Sequence, residues 1–207
     1  MSNNVCYKLI YFDKFGRGEI SRILFNYARI NFIDVRVLSH EWEVIKDSMP
    51  FQQLPVLEFD GKILFQSAAI EKYLAKQFGY MGENDFEDAQ IDQILLTIND
   101  VMLNFNILVK AKNSTQKVWM TKQLIKNSIT PALKCFEKLL SGNESLHFVG
   151  NKITLADLAM FHFLWFCKNR LLSSILNDFI NTEQFYNMMI QDEKLMNYIN
   201  TRRNHPF

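Results

Sequence analysis

Three cysteines, a tyrosine in the first apolar run, a proline behind Gln53-Leu54 and two Ser/Thr-led helix starts are where this sequence could hold chemistry. Cys6, Cys135 and Cys167 are odd in number, widely separated and without a Cys-x-x-Cys, so dithiol redox work, a disulfide framework and a thiolate metal site are not expected. They read as free thiols. Thr154-Leu-Ala-Asp157 has the spacing of a capping box, with Asp157 a shorter substitute for the usual glutamate and Ile153 able to staple onto Leu158. That acid starts a helix and stays off the list of catalytic residues. Ser67 precedes another amphipathic stretch, where its hydroxyl either caps the helix or joins the free N–H groups of the helix start in taking an anion. By residue type alone, Tyr11 is a strand aromatic in a core, Pro55 an ordinary trans strand start, Trp42 and Lys46 part of a surface helix, and Asp100 a solvated helix charge.

The elements that hold these residues follow from periodicity. Tyr7 to Phe12 reads as a strand, and beyond Gly16 and Gly18 the residues Ile20, Ile23, Leu24, Tyr27 and Ala28 recur at helical spacing. Phe32 to Val37 alternates as a second strand, giving a strand-helix-strand unit that pairs in parallel. A short helix fits Glu41 to Asp47. Val56 to Phe59 and Lys62 to Phe65 flank Asp60-Gly61, a strong hairpin signal. Ser67 then stands at the N-cap of a helix with Ile70, Tyr73, Leu74 and Phe78 on one face and Gly79 as its stop. The order βαβαββα over residues 1–79, with Pro55 opening the third strand, is that of an α/β thioredoxin-like domain. Residues 80–84 form a linker, and 85–207 an all-α helical bundle. Its long helices run from Glu87 to Lys110 and from Lys117 to Leu140; a nearly all-apolar central helix spans Leu155 to Cys167, and two shorter helices follow.

With 48% hydrophobic residues among 207, the chain can bury one large or two small cores. A formal charge of +1 gives no general electrostatic reason to expect nucleic acid as a partner. Met1 to Val5 lacks a basic-then-apolar leader and Leu155 to Cys167 is too short to span a bilayer, so a cytoplasmic location without membrane insertion is expected.

The run YKLIYFDKFGRGEI from Tyr7 to Ile20 resembles the opening of the tyrosine-type cytosolic glutathione transferases, most of all the sigma class with its haematopoietic prostaglandin D synthase relatives. Trp42 with Lys46, the run QLPVLE from Gln53, the run QSAAIEKYL from Gln66 and the run GNKITLAD from Gly150 fall in the order of that family. The resemblance implies that Tyr11 donates a hydrogen bond to the glutathione sulfur and that Arg17 assists near the thiol. It implies Trp42 and Lys46 at the glycine carboxylate, Leu54 pairing its backbone with the cysteine moiety beside a cis Pro55 and Gln53, and Gln66 and Ser67 at the γ-glutamyl end. Asp100 would reach the γ-glutamyl amine in the neighbouring subunit of a homodimer, into which Phe51 could also insert. Phe12, Lys14, Met102 and Ile107 would wall the second-substrate pocket.

One phenol is adequate to this task. Lowering a thiol pKa from about 8.5 by about two units needs a preference of about 2.7 kcal/mol for the anion. A hydrogen bond to a charged acceptor supplies about 1.5 to 3 kcal/mol. The resemblance therefore implies an enzyme that uses glutathione as co-substrate and conjugates it to small apolar electrophiles, with no metal. Its alternatives are a glutathione-dependent prostaglandin isomerase or peroxidase, and a non-catalytic crystallin-like or ligand-carrier protein. Leu96 and Asn99 stand where some prostaglandin D synthases carry acids, and Phe15 replaces a common arginine; both departures weigh against the specific isomerase.

Overall fold

The computed structural model describes residues 5–203, and by contact the chain falls into two units. The first holds β1 (Tyr7–Phe12), α1 (Glu19–Tyr27), β2 (Phe32–Val37), α2 (Ser39–Ile45), β3 (Val56–Phe59), β4 (Lys62–Phe65) and α3 (Ser67–Phe78). The sheet order is β2-β1-β3-β4, with β1 parallel to β2 and antiparallel to β3. Asp60 and Gly61 turn β3 into β4 with φ of 46° and 71°, the doubly positive pair that an Asp-Gly hairpin requires.

Central β1 is covered on both sides, so Leu9, Ile10 and Tyr11 are all buried. Side chains alternate along it, which gives the two faces different partners. On one face Tyr7 meets Phe25 of α1 with ring centroids 5.3 Å apart, and Phe59 stacks at 4.8 Å on Tyr73 of α3. On the other, Ile10, Val37 and Val56 form a cluster against Phe12, Trp42, Ile45, Met49, Leu54 and Phe65.

Further along the chain come α4 (Asp85–Asn104), α5 (Asn106–Val109), α6 (Ser114–Leu124), α7 (Thr130–Ser141), α8 (Leu155–Phe166), α9 (Ile180–Met189) and α10 (Glu193–Thr201). Every residue of α8 except Trp165 is buried, as its composition predicts for a central helix. The expected single helix over Lys117 to Leu140 is broken by a π-helical turn at Ile125–Ile129. Pro131 lies at the start of α7; it lacks an N–H and its ring crowds the carbonyl four residues back, so the ladder widens just before it. The expected helix from Glu87 to Lys110 also divides, at the buried Phe105 whose ring meets Phe166 at 5.2 Å.

The division of the chain differs from the expected one at its end. The second unit runs from Met81 to Gln191, and residues 192–203 cluster with the first. Helix α10 returns to α1: the Tyr198 hydroxyl and Arg202 Nη1 each donate to Glu19 Oε1 at 2.9 Å, and the Tyr27 hydroxyl donates to Asp192 at 2.8 Å. Phe15 lies 4.4 Å beneath the Arg202 guanidinium. An aromatic face for a cation is worth about 0.5 to 2 kcal/mol, a use for Phe15 that no local pattern announces.

Candidate functional site

Tyr11 is 7% exposed near the end of β1, on the face that meets α1. After it the chain doubles back through a 3-10 turn at Gly16–Gly18, which brings the Arg17 backbone N–H to the Tyr11 hydroxyl at 2.9 Å. Only glycines fit this turn. A Cβ at Gly18 would stand 2.6 Å from ring carbons of Tyr11, and one at Gly16, whose φ is +41°, would collide with its hydroxyl. Burial raises the Tyr11 pKa, and the Arg17 N–H and the charges of Arg17 and Arg22 only partly oppose it. The phenol therefore stays protonated. Its oxygen accepts from Arg17, so its own proton is free for another acceptor.

Arg22, fully buried on α1, secures the loop that carries this turn. Its guanidinium donates to the Lys14 carbonyl at 2.7 Å and the Phe12 carbonyl at 3.3 Å, pairs with Asp34 at 3.0 Å, and lies 5.7 Å over the Tyr11 ring. The sequence pattern carries Arg22 and the glycine pair in plain view, yet their roles show only when the ring between them is placed.

A cleft on the first unit is lined by Arg17, Gln53, Leu54, Pro55, Phe65, Gln66 and Ser67. Five of these, Gln53, Leu54, Pro55, Gln66 and Ser67, were expected at one ligand, and the structure gathers them. Arg17 was expected by the thiol; it joins Tyr11 through its N–H and also lines the Gln66–Ser67 end. The Leu54–Pro55 peptide bond is cis. Ser67 is not the N-cap. Gln66 takes that place at φ 71° and ψ 117°, its carbonyl accepting from Ile70 N–H at 3.0 Å, and Ser67 is the first helical residue. The physical consequence is that neither side chain caps α3, so its leading N–H groups face the cleft uncommitted.

Trp42 packs its ring on Phe12 at 5.2 Å over the same sheet face as Leu54, while Lys46 begins the next turn. Among the described residues neither the Trp42 indole N–H nor the Lys46 ammonium has a hydrogen-bond partner. Asp100 is exposed on α4. Of the expected pocket wall, Phe12 and Lys14 belong to the first unit and Met102 and Ile107 to the second.

The second unit has a wider cleft, lined in part by Lys134, Glu137, Ser174 and Asp178. One of its two acids is already spent. Glu137 accepts from the backbone N–H and side chain of both Asn181 and Thr182 at 2.7 to 2.8 Å, capping α9 from outside. Burial pushes its carboxyl up, but these four donors outweigh that and hold it below the ordinary range. Among the described residues no group of three or more His, Cys, Asp or Glu side chains could hold a metal ion, and no helix is long and apolar enough to cross a membrane.

The family model of the glutathione S-transferase N-terminal domain matches residues 7–76, and that of the glutathione S-transferase C-terminal domain matches 99–202. Glutathione S-transferase 3 of Caenorhabditis elegans is 34% identical over 202 residues, covering 96% of this chain and 97% of the relative. The hematopoietic prostaglandin D synthase of Gallus gallus is 38% identical over 168 residues, covering 81% of this chain and 80% of the relative. Among solved structures, the Fasciola hepatica sigma class GST superposes with a TM-score of 0.88 at 28% identity, over 99% of this chain and all of that one (100%).

Proposed function

The chain belongs to the glutathione S-transferase family, and we propose that Tyr11 is the residue that stabilises the thiolate of glutathione for attack on small apolar electrophiles. The observation that carries this reading is the Tyr11 hydroxyl, which accepts the Arg17 N–H at 2.9 Å and has its own proton left to donate. An N–H bond to the phenol oxygen makes that proton a better donor, because the two bonds polarise each other. The sulfur then carries its charge at neutral pH, attacks an electrophilic carbon, forms the C–S bond and releases the leaving group.

The rest of the cleft supports an orientation for the tripeptide. Trp42 and Lys46 offer a donor and a cation for the glycine carboxylate, and the Leu54 backbone beside Pro55 offers a strand-like edge for the cysteine moiety. Gln66, Ser67, Arg17 and the open N-terminus of α3 suit the γ-glutamyl carboxylate. Phe12, Lys14, Met102 and Ile107 are proposed to wall the electrophile's pocket. On α4, Asp100 stands between exposed Leu96 and Leu103 at i, i+4 and i+7, an apolar stripe that suits contact with a second subunit. Phe51, 76% exposed, is proposed as an aromatic that inserts into the partner subunit. The proposed enzyme is a cytoplasmic homodimer in which Asp100 serves the partner's site, a state that light scattering on a sizing column measures.

Ultraviolet titration of bound glutathione, with turnover of an aryl halide, tests the central claim. In wild type the thiol pKa falls by about two units; in Tyr11→Phe most of that shift disappears and turnover drops about tenfold or more. Binding with an unshifted thiol in wild type would turn the reading toward a ligand carrier. The prostaglandin D synthase relative favours one second reading, glutathione-dependent isomerisation, against which Phe15, Leu96 and Asn99 stand as departures. A prostaglandin isomerase assay on the same samples separates the two.

A further inference from the structure

Helix α3 buries Ser67, Ile70, Glu71, Leu74 and Ala75, so a carboxylic acid lies on its inward face one turn below the residue that lines the cleft. Residues four apart on a helix sit one above the other, about 5 to 6 Å between Cβ atoms. Glu71 is 2% exposed, and among the described residues no hydrogen bond or salt bridge holds its carboxyl. Burial pushes its pKa up to about 8 against the pull of Arg17.

The other charged and titratable groups on elements packed against α3 are otherwise engaged. On α1, Glu19 meets Tyr198 and Arg202, Arg22 meets Asp34, and Tyr27 donates to Asp192. Glu58 of β3 pairs with Lys8, and Lys62 of β4 lies over Phe59. Tyr11 of β1 is bound to the Arg17 backbone, and Tyr73 of α3 itself stacks on Phe59. The Arg17 guanidinium is thus the cation shared by the buried acid and the mouth of the cleft.

Resting on the glutathione reading and deepening it, we infer that Glu71 is a proton-linked specificity residue: the γ-glutamyl carboxylate binds at the start of α3 together with a proton on Glu71. A neutral Glu71 leaves Arg17 and the open N–H groups to the ligand. An ionised Glu71 sets a second negative charge one turn away, in a poorly solvated place, and competes for Arg17. Linkage makes the effect reciprocal: the ligand's charge tightens the hold of Glu71 on its proton by the same factor by which that proton tightens the ligand.

S-methylglutathione, which has no titratable thiol, is the probe. Its affinity is measured by calorimetry from about pH 6.5 to about pH 9, in two buffers of different ionisation enthalpy, for wild type and Glu71→Gln. Wild type weakens about tenfold more than the variant across this range and takes up a proton on binding above the midpoint near 8, whereas the variant takes up none beyond that of the peptide's own amine. Superimposable profiles and equal proton counts overturn the inference. Should Glu71→Gln not fold, the wild-type proton count decides alone, since uptake no greater than the free amine's overturns it as well. Failure of both proteins to bind the probe at any pH overturns the glutathione reading itself, an outcome distinct from equal binding with equal profiles.

Discussion

The starts of α3 and α8 are built from similar parts and end up as opposites. Each has a hydroxyl residue in the first positions and an acid within about one turn, and each acid is buried. At α8, Asp157 accepts from the Thr154 N–H at 2.8 Å, the Thr154 hydroxyl at 3.2 Å and the Phe148 N–H at 2.9 Å. Its donors are closed within the protein. At α3 the cap Gln66 makes no side-chain bond, Ser67 stands inside the helix, and Glu71 closes none of the leading N–H groups. A helix start whose hydrogen bonds are complete serves folding, and one left open at a cleft is available to a ligand. The acid's position, three residues past the cap at α8 and five past it at α3, decides which.

Substitutions at the two starts should separate stability from binding. The largest effect is expected for Asp157→Ala, which orphans two buried N–H groups and a hydroxyl and lowers stability by about 3 kcal/mol in denaturant unfolding. Glutathione affinity of the folded fraction should be unchanged, and a loss of binding with intact stability would erase the contrast. Next is Glu71→Gln. Folding raises the proton affinity of Glu71, so the native chain holds more protons than the unfolded one between pH 4.5 and about 8, and stability falls as pH rises through that window. Glutamine cannot ionise, so the variant should match wild type near pH 4 and gain on it steadily as pH rises toward 8, read from unfolding midpoints. Ser67→Ala should cost glutathione about tenfold in affinity while moving stability by less than about 0.5 kcal/mol, because this hydroxyl caps nothing. The smallest effect is Gln66→Gly: relief of a positive φ should add about 0.5 kcal/mol to stability and weaken glutathione binding, a trade measurable by paired melts and titrations.

Much of this was legible in the sequence, where a local rule governs the outcome. Asp60-Gly61 names its turn, Gly79 stops α3 in the left-handed conformation at φ 80°, and Thr154 with Asp157 marks the start of α8. What was hidden depends on contacts far along the chain. Periodicity placed Ile70, Tyr73, Leu74 and Phe78 on the inner face of α3; the burial pattern rotates that face to include Ser67 and Glu71 and leaves Tyr73 and Phe78 half-buried. A glutamate in a helix reads as solvent-facing, and nothing nearby says otherwise. The site residues Gln53 to Pro55 and Gln66 with Ser67 came from family likeness, and their meeting in one cleft required the sheet. The grip of Arg22 on the Phe12 and Lys14 carbonyls needed the loop's path, which no spacing rule supplies.

The return of α10 to α1 also sets a schedule. Glu19 is fully buried, and two of its partners, Tyr198 and Arg202, are among the last residues described. On the ribosome, the sheet and its first helices emerge early, yet the whole second unit must be translated before Glu19 can meet those partners. Until then a carboxylate destined for the interior stays hydrated and the helix that carries Arg22 stays unsealed. Closure around Glu19 therefore waits on partners 179 and 183 positions further along the chain, and is slowed by the long loop that it spans.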